Sequence, residues 1–319
     1  MEREITEERA LCTPKGLLAP EAVGWSRRPL HVCNLSGRFP RKKRWDYWAA
    51  TNTRQFLALF VADIDYLGIG LVTFTDLEKN RRFERVAITP LGAGCRLPER
   101  AGEPVHFARF GVAIDVSPTE NGSRIAVRAN RFGKLLTADF AVGAPRDSLN
   151  VVVPWNDRQF QFTSKQIGLP LSGTLQLAGE SFSFDGGYAA LDFGRGIWPH
   201  KTAWHWAAAA GESNGRALAF NLGARWTDHT GSTENGLFRD GALTKISEDV
   251  SFNREADHWT IKSQAIDLRF TPIHERKASL PLGPLGARLH WCAGRFTGHI
   301  LDETLTDLFG WCESFDARW

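Results

Sequence analysis

The chain has 319 residues, of which 43% are hydrophobic and 24% charged, and its formal net charge is +3. These proportions are ordinary for a globular protein, and the length exceeds what one hydrophobic core usually serves. Because no basic stripe and no long apolar run is present, we expect neither a nucleic-acid partner nor a transmembrane segment.

The cysteines predict a reducing compartment. They are odd in number and widely spaced, and none forms a C-x-x-C pair, which argues against a disulfide framework and against a zinc site. Residues 1–10 mix acids with bases and have no apolar core, so we expect no secretory signal and a cytoplasmic location. The five cysteines are Cys12, Cys33, Cys95, Cys292 and Cys312.

Taken in chain order, the predicted elements are nearly all strands. Only residues 2–11 have the character of a short helix. Apolar and polar residues then alternate with period two in short segments separated by glycine-rich turns, a pattern typical of all-β sandwiches and barrels. The segments are 55–61, 68–74, 124–128, 159–162, 174–177, 181–184, 204–210, 216–224, 259–262 and 287–291.

A short internal repeat indicates two β domains. Tyr-Trp-Ala-Ala at 47–50 is echoed by His-Trp-Ala-Ala at 205–208, and a similar strand follows each copy after a polar turn. Self-similarity of this kind suits a duplicated β unit. We therefore predict two tandem barrel-like domains, 1–170 and 171–319.

Polar and aromatic residues are densest between 191 and 206. Glycines flank Arg195, which would let its guanidinium point inward, and Asp192 lies three residues earlier, close enough in sequence for a charge-assisted pair. The simplest interpretation of that pair is structural. His200 and His205 are most simply hydrogen-bonded histidines, and without an H-x-H pair we expect no metal site.

Two strands in the second half predict either close packing or a cavity. A face of small residues beside tryptophans cannot fill a barrel by itself, so it packs against another element or leaves room for a ligand. Glu234 and Asn235 add a carboxylate and an amide nearby, unless they only cap a turn. The small or tryptophan positions are Trp204, Trp206, Ala208, Ala210, Ala217, Ala219, Asn221 and Gly223.

Several motifs, in order along the chain, resemble a bacterial family, domain-of-unknown-function family 2804. That family is distantly similar to lipocalin-like carotenoid hydratases, tocopherol cyclases and Diels–Alderases. The resemblance implies an all-β fold of two tandem lipocalin-like (calycin-type) antiparallel barrels or half-barrels with very little helix. The motifs are G-W-S-R-R-P-L at 24–30, K-R-W-D-Y-W at 43–48, L-N-V-V-V-P-W at 149–155, D-F-G-R-G-I-W-P at 192–199, W-H-W at 204–206 and T-E-N at 233–235.

For function, the resemblance implies an apolar, isoprenoid- or lipid-like ligand in a tryptophan-lined barrel cavity. Hydration, isomerisation or cyclisation there would be lyase- or isomerase-type chemistry that needs one acid and aromatic faces, without a metal or nucleotide cofactor. The hydratases carry D-x-x-W-G before a W-x-W strand; Asp192 matches the aspartate, whereas Gly-Arg-Gly at 194–196 replaces the Trp-Gly pair.

This hypothesis assigns a role to each candidate residue. Asp192 or His200 would be the acid, although a paired arginine would oppose the raised pKa that an acid needs. A non-catalytic carrier of hydrophobic ligands and a protein-interaction scaffold with filled cores remain alternatives, and the oligomeric state is left open. The candidate ligand-binding residues are Arg195, Trp198, Trp204, Trp206, Asn221, Glu234 and Asn235.

Overall fold

The computed structural model describes residues 2–213, 215–282 and 285–319. Within these ranges it contains 25 strands and one short 3-10 turn at Pro20–Ala22, and no α-helix. The predicted all-β fold class is therefore confirmed. None of the helical turns in the described ranges has the length and apolar character needed to cross a membrane.

The N-terminal segment is extended, so the short helix predicted for residues 2–11 is wrong. Strand β1 (Arg9–Ala10) pairs in parallel with β3 (His31–Val32), and the amide of Ile5 donates to the carbonyl of Trp25. Ile5 and Leu11 are buried. Backbone pairing with residues 25–32 thus decides the conformation that helical propensity alone misjudged.

The first sheet has 14 antiparallel strands in the order β7-β6-β5-β4-β16-β14-β12-β11-β10-β9-β8, with β13 and β15 on β14 and β2 on β13. Its strands are β2 (Trp25–Ser26), β4 (Lys42–Thr51), β5 (Gln55–Asp63), β6 (Leu67–Asp76), β7 (Arg81–Pro90), β8 (Cys95–Arg96), β9 (Val105–Arg109), β10 (Val112–Thr119), β11 (Gly122–Arg131), β12 (Lys134–Gly143), β13 (Leu149–Pro154), β14 (Phe160–Leu177), β15 (Glu180–Ser183) and β16 (Gly187–Ile197).

The second sheet has nine strands in the order β20-β19-β18-β17-β25-β24-β23-β22-β21. In each sheet the first long strand pairs with the next strand and with the last long one: β4 with β5 and β16, β17 with β18 and β25. The repeated segments 47–50 and 205–208 lie on β4 and β17. The strands are β17 (Lys201–Ser213), β18 (Arg216–Ala224), β19 (Asn235–Arg239), β20 (Ala242–Ile246), β21 (Ser251–Arg254), β22 (Trp259–Lys262), β23 (Ile266–Leu282), β24 (Leu285–Ile300) and β25 (Glu303–Arg318).

The sheets do not change at the domain boundary predicted near residue 170. Strand β14 continues through that position, and the change falls between Ile197 and Lys201. Two glycines shape this long strand: Gly168 lies at a β-bulge with φ +76°, and Gly173 has φ +127°.

The core lies in three places. Large apolar side chains such as Phe140 and Phe193 fill the inner face of the first curled sheet, and Phe220 and Phe270 help to fill that of the second. The third cluster joins the outer faces of the two sheets, and we call it the intersheet interface. Its members include Ile167, Ala190, Trp206, Ala208, Ala219 and Trp311.

The small residues of β17 and β18 face the intersheet interface and not an enclosed barrel cavity. Ala208 and Ala219 are buried. A Cβ on Gly168 of β14 would come within 2.8 Å of the Ala219 Cβ and 3.5 Å of the Ala210 Cβ. These side chains are small because two sheets approach closely here, so this stretch leaves no room for a ligand.

Candidate functional site

The two faces of β16 separate Asp192 from Arg195, and the predicted ion pair between them is not formed. Side chains alternate along a strand, so residues three apart point to opposite faces. Arg195 is completely buried on the inner face, where Nη2 donates to Asp46 Oδ1 at 2.7 Å and Nε donates to the Pro98 carbonyl at 3.0 Å. Arg195 is therefore not part of the site that contains Asp192.

Asp192 instead pairs with a lysine that the sequence did not single out. Lys165 on β14 is its register partner, and the Lys165 ammonium lies 3.0 Å from Asp192 Oδ2 and 3.1 Å from Glu234 Oε2. Burial acts to lower the pKa of Lys165, but the two carboxylates outweigh burial and raise it. A charged ammonium thus links β16 of the first sheet to Glu234, which immediately precedes β19 of the second.

Glu234 is held by the strands beside it. Its carboxylate lies over Gly223, where any Cβ would overlap the carboxylate, and Trp226 Nε1 donates to Oε1 at 2.9 Å. Burial is the largest influence on Glu234 and raises its pKa. Glycine at 223 is therefore required by the acid that packs against it.

Asn221 and Asn235 position these groups. Asn221 Oδ1 accepts the indole N–H of Trp206 at 2.7 Å, and its Nδ2 donates to the Glu234 carbonyl at 2.6 Å. Asn235 accepts from the Gly223 amide and donates to the Glu248 carbonyl. Both amides hold backbone or side chains in place, so we assign them a positioning role.

Glu313 on β25 is the second residue that sequence reasoning missed. It lies between Trp206 and Trp291, its register partners on the two neighbouring strands. Trp204 Nε1 donates to Glu313 Oε1 at 2.7 Å. Burial raises the pKa of Glu313 to about 7, against the lowering effects of the Trp204 hydrogen bond and Lys165.

Two rows of side chains face each other across this part of the intersheet interface. The ring of Tyr47 meets that of Trp206 edge-on at 5.7 Å, and the Lys165 ammonium lies 4.7 Å from the Trp206 ring centroid. The row on the first sheet is Lys165, Asp192, Tyr47 and Phe60, and the row on the second is Trp206, Glu313, Trp291 and Arg276.

We call the boundary between these two rows the intersheet cleft. Tyr47, Asp192, Trp204 and Glu313 are half-buried and keep some accessible surface. Yet loss of hydration is the largest influence on both Tyr47 and Glu313, and it raises the pKa of each. These four side chains are a part of the intersheet cleft that keeps accessible surface.

Trp198 lies at the centre of a tryptophan cluster next to the cleft. It is buried, and its Nε1 donates to Gln161 Oε1 at 2.6 Å. Trp204 belongs both to this cluster and to the cleft, since it also holds Glu313. The rings with centroids 5.2 to 6.1 Å from that of Trp198 are Trp45, Trp155, Trp204, Trp226 and Trp319.

His200 contacts Trp319. Its Nδ1 lies 2.6 Å from the Trp319 carbonyl, and its own carbonyl accepts the Trp319 amide at 2.8 Å. These contacts give His200 a structural task in the turn between β16 and β17. The structure thus brings Asp192, Trp204 and Trp206 together with Asn221 and Glu234, and places His200 with the C-terminus.

The chain is similar to several solved structures, and one of them supports a shared fold. A provisionally assigned AttH from Nitrosomonas europaea is 16% identical over 88% of this chain and 93% of its own, with a TM-score of 0.54, which shows a common lipocalin-like fold. CghA in complex with Sch210972 is 10% identical over 88% and 89%, with a TM-score of 0.45. Kievitone hydratase from Nectria haematococca is 11% identical over 90% and 94%, with a TM-score of 0.43.

A comparison of sequences identifies the family of this chain. No curated protein matches the chain. A family model described as a domain of unknown function, DUF2804, matches residues 2–319. The chain therefore belongs to the DUF2804 family, as the motifs predicted.

Proposed function

We propose that this protein binds an apolar, isoprenoid- or lipid-like small molecule in the intersheet cleft and transfers a proton to it from Glu313. The observation that carries the proposal is a carboxyl that lies between Trp206 and Trp291 and keeps accessible surface, and burial raises its pKa to about 7. A general acid works best when its pKa lies near the working pH. The proposed ligand site is therefore the intersheet cleft and not the barrel cavity that the sequence predicted.

The surrounding side chains suit proton transfer to a carbon–carbon double bond. Protonation of an alkene leaves positive charge on carbon, and the faces of Trp204 and Trp206 stabilise a cation by their ring quadrupoles. The Asp192 carboxylate supplies a negative charge at the same place. Capture of the cation by water, loss of another proton or ring closure would then give hydration, isomerisation or cyclisation.

The acid role passes from Asp192 to Glu313 because the two carboxyls have different partners. Asp192 accepts hydrogen bonds from the Thr163 hydroxyl at 3.1 Å and faces the Lys165 ammonium at 3.0 Å. Glu313 accepts only a neutral indole N–H among the described contacts. Asp192 therefore has a cation and a hydroxyl as partners, and we assign the proton donor role to Glu313.

Deuterium incorporation tests the proposal. Apolar compounds that co-purify with the protein from its own cells are identified by mass spectrometry and returned to the purified protein in D₂O. We expect the wild type to introduce deuterium or water at a double bond, and Glu313→Gln to lose about 10²- to 10⁴-fold in rate while still quenching tryptophan fluorescence on binding. Glu212→Gln, an exposed change on β17, is the matched control.

The outcomes separate the alternatives. Tight binding without deuterium exchange in the wild type would identify a carrier and remove the acid role of Glu313. Failure of every co-purifying or added isoprenoid to bind would contradict the cleft as a ligand site and favour the filled-core scaffold.

A further inference from the structure

A histidine, a cysteine and a glutamate meet on the inner face of the second sheet, away from the intersheet cleft. His290 and Cys292 are two residues apart on β24, so their side chains share one face while Trp291 between them points to the interface. Glu275 on β23 is the register partner of Cys292. Strand pairing thus brings residues of three metal-binding types close together.

The three ligand atoms lie close together. His290 Nε2 is 2.9 Å from Glu275 Oε2 and 3.3 Å from Cys292 Sγ, and all three atoms lie within 4.8 Å of one another. Cys292 is buried, the His290 side chain is 13% exposed and that of Glu275 is 41% exposed. The cluster therefore reaches from the core to a surface through which an ion could enter.

A single ring nitrogen of His290 faces both partners. In a nucleophile–histidine–acid relay, the imidazole uses one nitrogen for the thiol and the other for the carboxylate. Here Nε2 faces both Sγ and Oε2. Three ligand atoms grouped around one ring nitrogen suit a coordination site better than a proton relay.

We propose that Glu275, His290 and Cys292 bind a zinc ion, with water in the fourth position. Zinc takes thiolate, imidazole and carboxylate ligands at about 2.3, 2.0 and 2.1 Å, so tetrahedral ligand atoms lie roughly 3.3 to 3.6 Å apart. The two measured separations approach this range. The expectation of no metal site rested on the lack of H-x-H and C-x-x-C pairs and did not weigh an H-x-C pair on a strand.

The surroundings support an imidazole ligand. The ring centroid of Trp259 lies 5.8 Å from that of His290 and shields one side. The Arg254 guanidinium lies 3.5 Å from Glu275 Oε2 and partly balances the charge of the carboxylate and thiolate ligands.

Cobalt and zinc binding to the full-length protein tests the site. We expect one equivalent of Zn²⁺ by competition with a chromophoric chelator, and a thiolate-to-cobalt charge-transfer band when Co²⁺ is added. Cys292→Ser should abolish the band, and Glu275→Gln should weaken zinc binding by about 10- to 100-fold. Cys312→Ser is the matched control, because Cys312 is an equally buried thiol directly opposite Cys292.

The control fixes the interpretation. Cys312→Ser should keep both the band and the affinity. Absence of saturable one-to-one binding in the wild type, equal losses in the two cysteine variants or unchanged affinity in Glu275→Gln would each overturn the proposal. Glu275 is exposed, so its variant decides the question even if Cys292→Ser does not fold, and circular dichroism confirms the β structure of each protein.

Discussion

The two faces of β16 each carry a buried ionic group, and the two groups differ in the balance between carboxyls and cations. On the inner face, Arg195 pairs with Asp46 and gives its remaining donors to backbone carbonyls, including that of Trp45. On the outer face, the Lys165 ammonium serves both Asp192 and Glu234. The inner pair balances one charge with one charge, whereas the outer group has more carboxyls than cations.

A raised pKa alone does not show which carboxyl is the candidate acid. Burial raises the pKa of Asp46 to about 6 even beside Arg195, and that of Glu313 to about 7. Asp46 is only 3% exposed, however, while Glu313 keeps accessible surface in the intersheet cleft. The difference teaches that accessibility, and not the pKa, separates a structural pair from a candidate acid.

The largest change in stability that we expect follows the loss of the ion pair between Arg195 and Asp46. Arg195→Met leaves Asp46 buried without its cation, which should lower the free energy of unfolding by about 3 to 5 kcal/mol while ligand binding in the cleft persists. Urea denaturation measures the change, and the exposed Arg128→Met should stay within about 0.5 kcal/mol of the wild type. A loss below about 1 kcal/mol at position 195 would contradict the structural role.

A smaller effect should appear in the pH dependence of stability. Between its ordinary pKa of 4.5 and about 7, Glu313 holds a proton in the folded protein that the unfolded chain has released. The free energy of unfolding should therefore fall as pH rises through this window, by about 3 kcal/mol from this residue. Denaturation at pH 4, 6 and 8 measures the wild type against Glu313→Gln.

That comparison removes the contribution of Asp46, which lies on the inner face and titrates alike in both proteins. As pH rises, the free energy of unfolding of Glu313→Gln should increase relative to that of the wild type. That of Glu212→Gln should not. A difference between Glu313→Gln and the wild type that does not vary from pH 4 to 8 would show that Glu313 has an ordinary pKa.

The smallest effect concerns the hydrogen bond to Glu313. Trp204→Phe removes the indole N–H that lowers the pKa of Glu313, and a bond of about 1 kcal/mol corresponds to a rise of roughly one pH unit. Carbon-13 NMR titration of the labelled carboxyl measures it. An unchanged pKa in Trp204→Phe would mean that the contact does not favour the charged acid.

The fold could be predicted because strand alternation is local. The segments 55–61 and 204–210, for example, show period two in the sequence itself and lie in β5 and β17. The small residues were ambiguous for a physical reason: Ala219 suits both a cavity and close sheet packing. Only Gly168, on a strand from the other half of the chain, decides for packing.

The site could be predicted only in part because register joins distant strands. Asp192 stood out as an acid among aromatic residues and Glu234 as a carboxylate near the small-residue strands, but the lysine between them comes from β14. Lys165 has no local feature that distinguishes it from an exposed strand lysine. Glu313 did have a usable signal, since it lies between Trp311 and Phe315 at strand spacing.

A crystal structure of the protein with a bound apolar compound, taken from its own cells or from an isoprenoid series, tests the central claim most directly. We predict ligand density in the intersheet cleft, against Tyr47 and Trp204 and within reach of the Glu313 carboxyl. Density inside either curled sheet instead, among residues such as Phe193 or Phe220, would contradict it.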